Sequence, residues 1–516
     1  METMTLYDLL KRGERLHADR PAVLFGDEVL TYHKLREQAD AVASSLLELG
    51  IQKGDKVGVW LPNSGRFLSL YFGITAVGAT MVPLNTRYRA HEVSYILRNS
   101  EARALFMVPS FLKMDYREML AEVRPQLEGL QHVVAVDAED SSDDVGLSWR
   151  EFVAGSRHCD PEEQRAEDED VALILYTSGT TGQPKGVMLT HRNLATNARV
   201  TGEVMEVTPE DRYFVPLPLF HSFGLVLGCL TPLTFGSSIV LQDVFDAREA
   251  LELMEKHRCT MNFGVPTMFM LELEEMRKSS YHLSLRSGMM GGAPCPIEVV
   301  KGVRQEMGCN VCIGYGITET SPLISLTRYH DDDVQRAESV GRPLPGVEVR
   351  IVDDQWRTLP DGEIGEIAIR GNVMKGYYRM PEATREAVDD QGWYYSGDLG
   401  KMDAQGYLYI TGRKKDMIVV GGFNVYPREI EEVLFTHPGV QNVAVIGVPD
   451  PRLGEAVKAC IVPRGQVSKE DIREFCRQRM ANFKVPTYVE FMDSFPMTAS
   501  GKIQKYKLRE QHDPSQ

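Results

Sequence analysis

Val171-Ala-Leu-Ile-Leu-Tyr-Thr177, running into Ser178-Gly-Thr-Thr-Gly-Gln-Pro-Lys-Gly-Val187, is the stretch on which the reading of this chain turns. Val171 to Tyr176 is a short apolar run and reads as a buried strand. The loop behind it holds three glycines, Gly179, Gly182 and Gly186. It also holds four hydroxyls, Thr177, Ser178, Thr180 and Thr181, and one cation, Lys185. Glycines let backbone N–H groups close on an anion, hydroxyls donate to its oxygens, and a lysine adds charge. That chemistry suits a polyphosphate. It is not a Walker loop, because Pro184 stands where the glycine before the lysine belongs and Gly186 where a Ser or Thr should follow.

Outward from this loop the pattern is α/β. Thr31 can cap a helix whose apolar face holds Leu35, Ala39, Val42, Leu46 and Leu47, and Gly50 ends it. A strand over Lys56–Leu61, a helix over Phe67–Val77 and a strand over Thr80–Pro83 follow. Such alternation argues for layered, largely parallel sheets. Residues 138–170 are acidic and polar and read as a solvated connector, with Trp149 and Phe152 anchoring a short helix. Between about 340 and 412 the texture changes to short strands, Glu348–Val352, Glu363–Arg370 and Tyr407–Thr411, split by Asp-Gly and Gln-Gly turns. Beyond Arg413 a helix over Pro427–Phe435, strands over Val443–Val448 and Ala456–Val462 and a helix over Lys469–Met480 form a compact α+β unit. The expected fold class is α/β: a large domain over 1–413 with a β-rich subdomain, then a small, mobile α+β domain over 414–516.

Composition bounds the function. The 516 residues carry 57 Lys+Arg against 73 Asp+Glu, a net charge of −16, which does not suit general nucleic-acid binding. The last unit differs, with 15 basic and 13 acidic residues from Lys414 onward. Eight scattered cysteines make no disulfide framework and fit a reducing compartment. Cys309-Asn-Val-Cys312 lacks the second ligand pair of a zinc site. No leader and no spanning apolar run is seen, so a cytoplasmic protein without an integral membrane segment is expected.

Further motifs follow in order: Pro218-Leu-Phe-His-Ser-Phe-Gly224, Gly291-Gly-Ala-Pro294, Gly314-Tyr-Gly-Ile-Thr-Glu-Thr320 and Tyr395-Ser-Gly-Asp-Leu399. Gly412-Arg-Lys-Lys-Asp-Met-Ile418, Gly421-Gly-Phe-Asn-Val-Tyr-Pro427 and Ser500-Gly-Lys502 complete the set. With the loop at 177–186, from about residue 20 to 510, the chain resembles the adenylate-forming superfamily of acyl-CoA synthetases, adenylation domains and luciferases. The resemblance implies that ATP and a carboxylic acid form an acyl-adenylate, and that a thiol then displaces AMP. ATP, Mg²⁺ and CoA are the implied cofactors and co-substrates. A carboxylate suits Mg²⁺, and the resemblance assigns the ion to Glu319, with Thr177 beside it, and puts Thr318 at the phosphate or acyl-adenylate. It places Tyr315 against adenine. Gly292, Ala293, Pro294, Gly314 and Gly316 belong to the same nucleotide wall. Asp398 is a short carboxylate suited to both ribose hydroxyls, and the resemblance puts Arg413 near the same ribose. It makes Lys502 the cation for the carboxylate and α-phosphate, Lys415 the hinge, and Gly421-Gly422 the surface for the pantetheine arm. His221 is implied as a gate at the carboxylate–thiol junction, not as an essential base.

The acyl pocket is read as His221, Phe223, Gly224, Phe263, Val265, Thr267, Met289, Met290, Gly291, Ile317 and Leu323, mostly apolar. Leu219 to Phe223 offers no carboxylate for a substrate ammonium, which argues against an amino acid. No Trp falls where it would shorten the pocket for acetate. A medium- or long-chain fatty acid fits best, and an aromatic acid is the near alternative. A carrier-protein thiol as acceptor, a luciferase-like oxygenase and a non-enzymatic nucleotide-binding module are the other readings. Val419 departs from fatty-acid members that carry a Lys there. Oligomeric state, a homodimer included, and peripheral membrane contact stay open.

Overall fold

Thr31 starts the helix Tyr32–Glu48 as expected: its side chain accepts the Lys34 N–H, and Leu35, Ala39, Val42 and Leu46 are fully buried. The computed structural model describes residues 4–136, 146–154, 166–177, 184–293, 295–450, 452–497 and 503–511. Within these, the expected alternation builds two large sheets. One has nine strands, ordered 342–343, 323–326, 310–316, 287–291, 261–264, 212–215, 238–241, 21–25 and 28–31. The other has eight, ordered 376–377, 185–190, 171–177, 80–83, 56–60, 102–107, 132–135 and 147–148. From 310–316 to 21–25 in the first sheet and from 171–177 to 147–148 in the second, neighbouring strands run parallel, because helices cross over between most of them. Helices Tyr32–Glu48 and Gly65–Ala76 pack against each other closely enough that a Cβ on Gly73 would meet Val42 at 2.5 Å.

Most of the acidic connector, 138–145 and 155–165, lies outside the described residues, and the short helix read within it is present. Phe152, in the helix Trp149–Ala154, packs edge-on against Phe106 with ring centroids 4.9 Å apart.

The β-rich region is a four-stranded antiparallel sheet of Glu348–Val352, Gly365–Arg370, Tyr394–Met402 and Leu408–Arg413. Two edges move from the sequence reading: the second strand begins at Gly365, and the last runs from Leu408 through Arg413. Tyr394–Met402 went unread as a strand because Ser396-Gly397-Asp398 looks like a turn. The last sheet pairs Val440–Asp450 with Gly454–Pro463, both longer than read, and adds Ile418–Val420, Phe423–Val425 and Tyr488–Phe491. It has its own core of Ile418, Val425, Ile430, Leu434, Val445 and Ile461. The helix read over Lys469–Met480 ends at Arg477.

Among the described residues, no helix is long and apolar enough to cross a membrane. The seven described cysteines are all free and buried, Cys309 and Cys312 included. No group of metal-ligating side chains forms around them among the described residues.

Candidate active site

Ligands of open α/β sheets bind beyond the carboxyl ends of the strands. Here the carboxyl ends of both large sheets open on one cleft of about 1340 Å³. The nine-stranded sheet sends in Phe220 to Phe223 beyond strand 212–215, Gly291 to Ala293 at the end of 287–291, and Gly314 to Glu319 at the end of 310–316. The eight-stranded sheet sends in Asn85, Arg87 and Tyr88 beyond strand 80–83, and Thr177 and Lys185. The four-stranded sheet adds Ser396 to Asp398 and Arg413, and the last unit adds Lys415, Arg428 and Lys505.

Thr177 and Lys185 face each other as the last paired residues of the antiparallel strands 171–177 and 185–190. The hairpin therefore delivers a hydroxyl and an ammonium side by side. Ser178, Gly179, Thr180, Thr181 and Gly182 lie outside the described residues, as do Pro294 and Lys502. The residues flanking Lys502, Met497 and Gln504, line the cleft.

Asp398 and Arg413 meet because they are direct partners across two antiparallel strands. Arg413 Nε lies 3.1 Å from Asp398 Oδ1. The Tyr315 hydroxyl donates to Asp398 Oδ2 at 2.7 Å, so the aromatic ring and the carboxylate form one rigid pair. Asp398 is only 5% exposed. Tyr315 is buried, and burial, with Asp398 beside it, holds its phenol well above the usual value.

Glu319 sits in a single 3₁₀ turn, Thr318–Thr320, at the bend between strands 310–316 and 323–326. The bend is tight: a Cβ on Gly316 would lie 2.0 Å from the Pro322 carbonyl oxygen. Burial raises the Glu319 carboxyl, and hydrogen bonds from its own backbone N–H and from Tyr377 oppose that shift. The Tyr377 hydroxyl donates to Glu319 Oε1 at 3.0 Å.

His221 is carried by a segment pinned from below. Asn63, buried, accepts the Leu219 N–H at 2.8 Å and donates to the Leu217 and Gln242 carbonyls at 2.9 and 2.8 Å. His221 Nδ1 accepts the Phe223 N–H at 3.2 Å, which leaves the proton of the neutral ring on Nε2. The next eight residues, Phe223–Leu230, wind as a fully buried π-helix, a form that often marks functional sites.

His221, Phe223, Gly291, Ile317, Leu323 and Met289 line the cleft. Five residues read as pocket do not reach its wall. Phe263 and Met290 are fully buried. Phe263 stacks on Tyr213, and strand alternation turns Met290 away while Met289 faces in. Gly224 packs against the Pro218 carbonyl, and Val265 stands at the N-cap of the helix Pro266–Met276. Thr267 also lies off the wall. Gly421 and Gly422 form the turn of the hairpin 418–425, away from the cleft. Both have positive φ, 56° and 88°, and Phe423 beside them is 58% exposed and stacked on Phe483. Lys415 does line the cleft, and burial with neighbouring Arg413 lowers its ammonium pKa.

The sequence reading missed Asn63, Tyr377, Tyr394, Leu227 and Arg428. Leu227 had a signal, one turn beyond Phe223 in an apolar run. Tyr377 had none, since its partner is 58 residues away.

The donor set fits a hard divalent ion rather than a transition metal. The two donors assigned to the ion, the Glu319 carboxylate and the Thr177 hydroxyl, both line the cleft, and no cluster of three or more His, Cys or acids forms among the described residues. Mg²⁺ typically takes one or two carboxylates and completes its shell with water and phosphate oxygens.

Comparison with known proteins agrees with this geometry. Residues 10–378 match the AMP-binding enzyme family and 429–502 its C-terminal domain. The chain is 41% identical to the putative acyl-CoA synthetase YngI of Bacillus subtilis, over 98% of this chain and 96% of that protein. It is 38% identical to the human medium-chain acyl-CoA ligase ACSF2, mitochondrial, over 95% of this chain and 84% of that protein. The anthranilate CoA ligase AuaEII, solved with anthranoyl-AMP, superposes with a TM-score of 0.91 at 30% identity, covering 98% of this chain and 97% of its own. The chain belongs to the AMP-binding, adenylate-forming enzyme family. It is an enzyme of the AMP-forming acid–CoA ligase type.

Proposed function

We propose that this enzyme activates a medium- or long-chain fatty acid to its acyl-adenylate, with Mg²⁺·ATP, and passes the acyl group to CoA. One observation carries the reading: a single cleft joins the Lys185 ammonium and Thr177 hydroxyl of the hairpin, the Tyr315–Asp398–Arg413 group and an apolar wall of Phe223, Leu227, Met289 and Leu323.

In the first half-reaction a carboxylate oxygen bonds to the α-phosphorus of ATP and the bond to pyrophosphate breaks. Lys185, Thr177 and the hydroxyls of residues 178–181 hold the departing polyphosphate. Asp398 accepts from the ribose, with Arg413 beside it, and Tyr315 lies against the base. Thr318 stands at the phosphate, and Lys502 brings its cation to the two reacting groups. Such placed charges act most strongly where water is excluded. Mg²⁺, held by Glu319 and Thr177, would supply charge neutralisation on the phosphates. In the second half-reaction the CoA sulfur bonds to the acyl carbon and AMP leaves. A thiol near pKa 8.5 ionises sufficiently without a protein base, so His221 serves as a gate at that junction.

The two half-reactions need different neighbours, and we place the division between the two domains at 413/414, with Lys415 as the hinge. Rotation there would withdraw Lys502 and bring Gly421-Gly422 to the pantetheine channel. Their position away from the cleft supports an adenylation-side arrangement in this structure.

An aromatic acid is the second reading, favoured by the likeness to an anthranilate ligase. The test is a panel of acids from acetate to palmitate, with benzoate and cinnamate, scored for AMP and thioester with and without CoA. Turnover that needs CoA and peaks at medium or long chains supports the proposal. Peak turnover with benzoate or cinnamate supports the second reading. Adenylate without thioester would move the acceptor to a carrier protein.

A further inference from the structure

We propose that Tyr377 is a positioning residue for adenylation: its hydroxyl fixes the Glu319 carboxylate while its ring face seats the Lys185 ammonium. The proposal deepens the reading of the cleft as an ATP site and rests on it.

Tyr377 sits on a short strap that is stitched to both groups by backbone. The Met374 N–H donates to the Glu319 carbonyl at 2.8 Å. Gly376 and Tyr377 pair with Met188 and Val187 on the strand that begins at Lys185, and the Tyr378 N–H donates to the Gly186 carbonyl at 2.7 Å. Asn193 and Asn372 clamp the start of the strap. Gly376 takes φ 141°, and a Cβ there would meet Thr384 at 2.9 Å, so the strap accepts only glycine before Tyr377. The Tyr377 N–H is held by Thr384 Oγ1 at 2.9 Å.

The side chain then serves two partners with two different faces. Its hydroxyl donates to Glu319 Oε1 at 3.0 Å, and Lys185 Nζ lies 4.9 Å from the ring centroid. Tyr394, itself buried, lines the same cleft. Without this partition, an acid and an ammonium sharing one cleft would pair with each other instead of with phosphate. A phenol meets both demands, because its edge carries a donor and its face attracts a cation. Phe would keep the face and lose the donor, and Leu would lose both.

The test compares wild type, Tyr377→Phe, Tyr377→Leu, Glu319→Gln and the Glu319→Gln/Tyr377→Phe double variant. Calorimetry measures the Kd for ATP with Mg²⁺ and with EDTA. Single-turnover assays measure adenylation, and thioester formation from supplied acyl-adenylate. For Tyr377→Phe we expect the affinity gained from Mg²⁺ to fall about tenfold, the scale of one hydrogen bond to a charged group. Adenylation should slow by a similar factor, with thioester formation and melting temperature unchanged. In the Glu319→Gln background the same change should have no further effect. Tyr377→Leu should add a two- to fivefold weakening of Mg²⁺-free ATP binding, roughly the cation–π contribution. An unchanged Mg²⁺ gain in Tyr377→Phe, or equal losses in both half-reactions, overturns the proposal while leaving the ATP site standing. A wild type that binds no ATP, or a Glu319→Gln variant that keeps the whole Mg²⁺ gain, overturns the site reading and the proposal with it.

Discussion

Asp398→Asn tests the proposed ribose contact, because the substitution preserves shape and removes charge. In the structure the carboxylate is nearly inaccessible and has two donors, the Tyr315 hydroxyl on one oxygen and Arg413 on the other. An amide can accept on one side only, and its NH₂ group would face the second donor. A hydrogen bond to a charged group contributes about 1.5–3 kcal/mol. One lost bond of that kind corresponds to roughly ten- to 150-fold in affinity. We therefore expect AMP to bind Asp398→Asn at least about tenfold more weakly, with the ATP KM rising in parallel and the KM for the acid little changed. Tyr315→Phe leaves Asp398 its arginine and should cost less. Isothermal titration of AMP into the three proteins reads the effect directly. AMP binding to Asp398→Asn within twofold of wild type would refute the assignment.

Three further outcomes are expected. Lys502→Ala should slow adenylation by about 10²–10³ and leave thioester formation from supplied acyl-adenylate nearly intact; equal loss in both half-reactions contradicts its role. Arg428 reaches from the helix Pro427–Phe435 to the Ile410 carbonyl at 2.8 Å, tying the last unit to the four-stranded sheet. Arg428→Ala should loosen that tie and speed tryptic cleavage at 413–415 about tenfold, the scale of one charged hydrogen bond, and unchanged cleavage would sink the idea. Glu272 is buried with Asn262 as its hydrogen-bond partner, and burial pushes its carboxyl up from 4.5 to about 8. The folded state thus holds a proton that the unfolded chain releases. Its stabilisation is complete below about pH 4.5 and drains away as pH rises toward 8, by at most about 1.4 kcal/mol per unit. Glu272→Gln should therefore gain on wild type in urea unfolding from pH 5 to pH 8, and a constant difference would show the reasoning wrong.

Local signals proved legible where one segment decides its own form. Thr31 and the apolar spacing after it define a helix, and Thr80–Pro83 is a strand within the bounds read for it. Forms decided by distant partners were not legible. The two-residue strand Gly376–Tyr377 exists only because Val187 and Met188 lie beside it. Tyr394–Met402 carries the polar run Ser396-Gly-Asp398 within a strand, since Arg413 opposite pairs with Asp398. In the pocket, sequence named both Met289 and Met290, and only strand alternation could separate the one that faces the cleft. Thr177, Lys185 and Asp398 came from the chemistry of their motifs, and Glu319 and Arg413 from the family resemblance; all five line the cleft. Asn63 and Tyr377, which hold such residues in place, carry no motif of their own.

The burial of every described cysteine has a consequence for an enzyme of this class. A mixed anhydride of acid and AMP acylates thiolates indiscriminately, so a reactive thiol on the cleft wall would turn the catalyst into its own acceptor. Cys295 does border the cleft. Its sulfur points at the Ala293 carbonyl, 3.5 Å away, and burial pushes its thiol up to about 12. At neutral pH it stays protonated and a poor nucleophile. The fold thereby protects its intermediate from self-acylation and reserves it for a thiol that arrives from outside.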